Sequence, residues 1–184
     1  MPRICQGVAD AKAVGGPGSM LALMTAAYRA RDSFGEVWYL PLADDGAAVA
    51  AAGSLNFTAQ ATSNGTLNLY IGGQRLTMAV SSSQRPAQLA TVLAAAVTAA
   101  TDLPVTAAVD GTTTSKVNFT AKNKGTAGND IDLHLNCRGA AGGESTPAGL
   151  TTTIVAMTGG TTNPALTSAL ASLGDTTYDF IAFP

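Results

Sequence analysis

A glycine run before a helix is a common phosphate cradle, and Gly15-Gly16-Pro17-Gly18-Ser19 stands just ahead of a helical stretch. Glycine lets backbone amides approach an anion, and the helix dipole favours negative charge there. The other requirements fail, because no Lys-Ser or Lys-Thr follows, GxGxxG is missing and Pro17 lacks an amide donor. A turn followed by a Ser19 helix cap accounts for the pattern. His134 is the single histidine, and no GxSxG string occurs, so a serine triad has no base beside an activated serine. Asp130 and Asp132 lie close to His134 in sequence, but residues two apart on a strand beside an Asn-Asp turn read as a solvated polar edge rather than a metal site. Asp44-Asp45-Gly46 lacks the spacing of a calcium loop and reads as a linker. Cys5 and Cys137 are far apart, with no CxxC, and are expected as two reduced thiols. No catalytic, cofactor-binding or metal-binding residue is assigned, and no enzyme activity or cofactor is expected.

The elements that carry these residues are built from small side chains. Only 12% of the 184 residues are charged and 5% aromatic, while 46% are hydrophobic; Ala, Gly, Thr and Ser stand where aromatics would, so a core exists but packs small side chains. The formal net charge is -2 and the basic residues are scattered singly, which leaves no footprint for nucleic acid. No apolar run approaches the roughly 20 residues a bilayer crossing needs, and no charged segment precedes an apolar one at the start. The expectation is a soluble, unsecreted chain that neither spans a membrane nor binds nucleic acid.

Residues 19–31 are predicted to form a helix, with Met20, Leu23, Met24, Ala27 and Tyr28 at helical spacing and Arg29 and Arg31 near its carbonyl end. The apolar run at 36–42 is predicted to be a strand covered on both faces and ended by Pro41. From about Gly53 the period switches to two. Leu55, Phe57 and Ala59, then Leu67, Leu69 and Ile71 after the Asn64-Gly65 turn signal, are expected to pair as a hairpin. Gly72-Gly73 would then lead into Leu76, Met78 and Val80, completing a three-stranded meander.

A helix over about 86–100, with Pro86 in its first turn and Leu89, Leu93 and Val97 on one stripe, is the expected cover. A second hairpin is expected from Val105/Ala107/Val109 and Val117/Phe119/Ala121. A strand alternating Ile131, Leu133, Leu135 and Cys137 should follow, and after a glycine-rich loop at 139–149 a last one through Leu150, Thr152, Ile154 and Ala156. Beyond Gly159-Gly160, Asn163 and Pro164 read as the start of a helix ending near Gly174, and 178–183 reads as a buried strand running into Pro184. The expected fold class is α+β. A β-rich domain at 50–157, an antiparallel sandwich or barrel-like module with one covering helix, is inserted into a partial α/β domain made of 1–49 and 158–184.

Several strings are more specific than these patterns. They include Gly18-Ser19-Met20-Leu21-Ala22-Leu23-Met24, Phe34-Gly35-Glu36-Val37-Trp38 with Leu40-Pro41-Leu42, and Pro147-Ala148-Gly149-Leu150 with Met157-Thr158-Gly159-Gly160. Asn163-Pro164, Leu173-Gly174-Asp175 and Tyr178-Asp179-Phe180-Ile181 follow. The most specific is Lys122-Asn123-Lys124-Gly125-Thr126-Ala127-Gly128-Asn129-Asp130-Ile131-Asp132. In these strings, in order along nearly the whole chain, the sequence resembles the Mu-like family of contractile phage tail sheath proteins.

The resemblance implies a structural subunit of the virion, assembled in the host cytoplasm. It would stack with other sheath subunits in hexameric rings around a tail tube on a baseplate, then contract to drive the tube into the host envelope. It implies that free energy stored at assembly, rather than nucleotide hydrolysis, drives that change. It also implies that the β-rich insert decorates the outside while the α/β part lies nearer the tube. Family members resemble one another in having terminal arms that add strands to neighbouring subunits, and such arms are not evident here. A fragment that is monomeric by itself is therefore expected. Two other classes compete. An extracellular carbohydrate-binding β module would need exposed aromatic platforms, which Phe57, Tyr70 and Phe119 are not expected to be; a hydrolase would have to rest on His134 alone.

Overall fold

The structure is a computed structural model describing residues 2–183. The chain enters through a two-residue strand, β1 (Arg3–Ile4), then folds two helices, α1 (Val8–Gly15) and α2 (Met20–Arg29). Ser19 caps α2 as expected, its hydroxyl accepting from the Ala22 amide at 3.2 Å. α1 packs against α2 and lies outside the expected elements, because an eight-residue helix starting after a glycine offers only Val8, Ala11 and Val14 as an apolar stripe. The expected doubly covered strand at 36–42 is reduced to β2 (Trp38–Tyr39), paired antiparallel with β1. Tyr39 is buried but Trp38 is 45% exposed. An apolar run becomes a buried strand only when neighbours cover both of its faces, and here just one face is covered.

The middle of the chain is a two-layer sandwich. β3 (Ala52–Ala59), β4 (Gly65–Ile71) and β5 (Gln74–Val80) are followed by helix α3 (Pro86–Ala99), then β6 (Val105–Val109) and β7 (Lys116–Ala121). A 3-10 turn at Thr126–Asp130 precedes β8 (Leu133–Leu135), and β9 (Thr151–Thr158) closes the unit. One sheet has the order β6-β7-β3-β9 and the other β5-β4-β8, with every pairing antiparallel. The sandwich is open at its edges and is not a closed barrel. Leu55 and Phe57 of one layer face Leu67, Leu69 and Ile71 of the other, and Leu89, Leu93 and Val97 of α3 seal the gap alongside Val117 and Phe119. All the buried residues of this core lie between Ala51 and Met157.

The expected β3–β4 hairpin and the three-stranded meander are both overturned. β3 pairs with β7 and β9, whereas β4 pairs with β5 and β8, so residues 60–64 are a crossover between layers. Two successive half-apolar strands look the same in sequence whether they lie side by side or face to face, since either arrangement buries alternate residues. The β4–β5 hairpin does form, on Gly72 and Gly73, both with positive φ as a tight two-residue turn requires. The β6–β7 hairpin is also as expected.

β8 is shorter than the alternation at 131–137 indicates. Ile131 follows the 3-10 turn, Asn136 turns left-handed at φ 54°, and Cys137 is exposed. At the C-terminal end, helix α4 (Thr167–Ala171) begins three residues after Pro164, and Asn163 does not cap it because its side chain is engaged with Thr126. The expected strand at 178–183 is not formed. Phe180 is 96% exposed, with no strand beside it among the described residues, and Pro184 lies outside them. An extended apolar segment without a partner strand leaves its own amides unpaired.

Candidate functional site

The string at 122–129 turns out to be the place where the sandwich is fastened to everything else. It leaves β7 at the end of the sandwich where the two connections, 40–51 and 158–164, cross. Lys122 reaches out of this loop and donates to the carbonyls of Pro17 at 2.9 Å and Thr101 at 2.6 Å. Burial lowers its pKa, with Asp102 opposing the shift. Asn123 accepts from the Met20 amide at 2.7 Å, so the start of α2 is capped twice, by its own Ser19 and by the sandwich. Lys12 of α1 pairs with Asp102 at 2.7 Å, beside Leu103. Between these polar ties, Met20 and Leu23 of α2 face Pro104 and Ile131 across a cleft of about 250 Å³.

The next residues fasten the two connections. Gly125, at φ 103°, donates its amide to Val49, and Val49 and Thr161 exchange both backbone bonds. The Asn163 side chain accepts from the Thr126 amide at 2.8 Å and donates to the Thr126 hydroxyl at 2.8 Å. Asn129 imitates a strand: its side-chain amide donates to the Gly160 carbonyl at 3.0 Å and accepts from the Gly160 amide at 2.8 Å. Space here admits only glycine. A Cβ on Gly160 would stand 2.3 Å from the Gly125 carbonyl oxygen, and one on Gly128 2.9 Å from the Ala121 Cβ. The loop's chemistry is therefore fastening, through neutral amides and one ammonium, with no nucleophile or proton-transfer pair in it.

The residues weighed for other chemistry are not brought together. Beside the glycine run, the Met20 amide is taken by Asn123 and the Ala22 amide by Ser19, so neither is free for a phosphate. His134 is exposed on β8 opposite Tyr70, with its Nδ1 2.8 Å from the Leu135 carbonyl. Among the described residues no three His, Cys, Asp or Glu side chains converge as a metal site would require. Cys5 is buried and Cys137 exposed, both as free thiols. Asp44 accepts from the Lys124 amide, so the segment expected as a linker is itself tied down.

Two polar knots escaped the sequence reading. Asp110 gathers the β6–β7 turn, accepting from the amides of Thr113 and Thr112, from the Asn118 side chain and from Lys116 in an ion pair at 2.9 Å. The Thr113 amide first, then Asn118, Lys116 and Thr112, hold its carboxyl far below the ordinary range. Glu144 is 3% exposed and takes bonds from the Tyr70 hydroxyl at 2.6 Å, Arg75 at 3.2 Å and the Arg138 amide at 3.1 Å. Burial pushes its pKa up, yet these three donors outweigh it and hold it below the usual value. The available signal was its isolation, for it is the only charged residue between Arg138 and Asp175.

Comparison with known proteins bears directly on this architecture. Residues 44–162 match the family described as the phage tail sheath protein beta-sandwich domain, a span that contains both sheets, α3 and the whole fastening loop. The chain is 36% identical over 176 residues to the Mu-like prophage FluMu tail sheath protein of Haemophilus influenzae. That alignment covers 96% of this chain and 35% of the relative, so the chain spans about a third of the length of the curated relative it matches. The chain belongs to the phage tail sheath protein family, a family of structural components of the phage virion, and carries its β-sandwich domain at residues 44–162.

Proposed function

We propose that this chain is the part of a contractile sheath subunit that carries the sandwich and roots it in the α/β core, in a protein that polymerises around a tail tube and contracts to drive it into a host envelope. The observation that carries the reading is the alignment with a tail sheath protein along 96% of the chain, on both sides of the sandwich as well as through it. The three-part division at 1–49, 50–157 and 158–184 belongs to the same proposal. It is supported by a core confined to Ala51–Met157 and by connections that meet at the Val49–Thr161 bridge.

In this role the subunit works by contacts rather than by turnover. A lattice trapped in an extended arrangement releases free energy as subunits repack, and each subunit must move as a body for that energy to be transmitted. The ties from Lys122, Asn123, Asn129 and Asn163 suit that need, since they hold the sandwich to the helices and to both connections. Neighbouring sheath subunits are the partners, with the tail tube and baseplate as further ones, and the sandwich is placed outermost. The test is assembly of the full-length subunit, followed by negative-stain microscopy. Hollow sleeves are expected; a protein that stays monomeric at high concentration, with tail tube supplied, would contradict the proposal.

A further inference from the structure

The outward face of a sheet at a protein surface is ordinarily wet, yet β4 is buried on both faces from Leu67 to Ile71. Leu67, Leu69 and Ile71 point into the core, so Asn68 and Tyr70 point the other way. Both are nevertheless buried, because the segment after β8 doubles back over them. The Asn136 amide donates to the Asn68 carbonyl at 3.0 Å, and Glu144 then lands on the Tyr70 hydroxyl.

Between these two points the covering segment has almost nothing apolar to hold it. Residues 139–146 are Gly, Ala, Ala, Gly, Gly, Glu, Ser and Thr, with Gly139 and Gly143 at positive φ around a single 3-10 turn at Ala140–Gly142. Its ties to the sheet beneath are polar, and Glu144 supplies the charged one. We infer that residues 137–146 form a strap that opens and closes separately from the sandwich, with the negative charge of Glu144 as its latch.

The groups facing that carboxylate come from three elements: Tyr70 on β4, Arg75 on β5 and Arg138 on the strap itself. His134 on β8 stands across from Tyr70 in register but is exposed and turned to the Leu135 carbonyl. The folded carboxyl titrates below its ordinary value of 4.5, so closure is fully favoured above that value and is lost as pH falls through the lowered one.

Hydrogen exchange of the 184-residue chain, read peptide by peptide, tests this. Glu144→Gln keeps the shape but removes the charge, and at neutral pH the strap amides should exchange roughly ten-fold faster or more while β3 and β7 keep their protection. Arg75→Gln should act in the same direction. In the unaltered chain, the ratio of strap to β7 protection should fall on acidification below 4.5. Unchanged strap exchange in both variants would overturn the inference. So would strap and β7 losing protection together, since Glu144 would then secure the sandwich as a whole. If Glu144→Gln does not fold, Arg75→Gln and the acid series decide between the same outcomes.

Discussion

Asparagine side chains do much of the fastening in this molecule. Asn123, Asn129 and Asn163 each stand in for a backbone group, capping a helix, closing a two-bond bridge and tying a turn. Removing Asn129 leaves the buried Gly160 amide and carbonyl without those partners, so Asn129→Ala should cost about 1–3 kcal/mol in denaturant unfolding. Asn123→Ala should cost less, about 1 kcal/mol, because Ser19 still caps α2. Asp110 has a different dependence. Its folded pKa lies well below the ordinary 3.8, so its contribution is complete above that value and disappears as pH falls through the lowered one. Asp110→Asn should therefore flatten the acid limb of a stability-against-pH curve and leave its slope near neutrality unchanged. The string at 122–132 was legible as unusual, but its purpose was not. The bonds that fasten it go to residues distant in sequence, such as Met20, Val49 and Gly160, and local pattern holds no information about such partners.

Elements were read well where one face meets one core. α3 shows this best, with its Pro86 start and its Leu89, Leu93 and Val97 stripe, all three fully or nearly fully buried. Leu93→Ala should cost about 2–5 kcal/mol, measurable as a lowered denaturation midpoint with unchanged slope. Strands were located, and the β4–β5 and β6–β7 hairpins were paired as they stand, but β3 was given the wrong partner. The alternation of Leu55 and Phe57, and of Leu67 and Leu69, names the buried face of each strand without saying which layer it joins. The reading failed where an element depends on neighbours it does not have here. Residues 36–42 and 178–183 have the composition of buried strands, but β2 keeps two residues and the second segment keeps none. Strand formation is a property of pairing, so composition alone overstated both.

At the scale of the whole molecule, the core from Ala51 to Met157 and the family match over 44–162 describe nearly the same unit. Residues 44–162 produced alone should unfold in a single cooperative transition, and Leu93→Ala should lower its stability by the same amount as in the longer chain. The central claim is that this sandwich is the outer part of a contracting sleeve, rooted through the loop at 122–129. The most direct measurement is an electron cryo-microscopy map of sleeves formed by the full-length subunit, in extended and contracted states. The account predicts the sandwich at the outer radius in both, with Lys122 still on Pro17 and Asn129 still on Gly160. A sandwich lining the lumen, or these ties broken in either state, would contradict it.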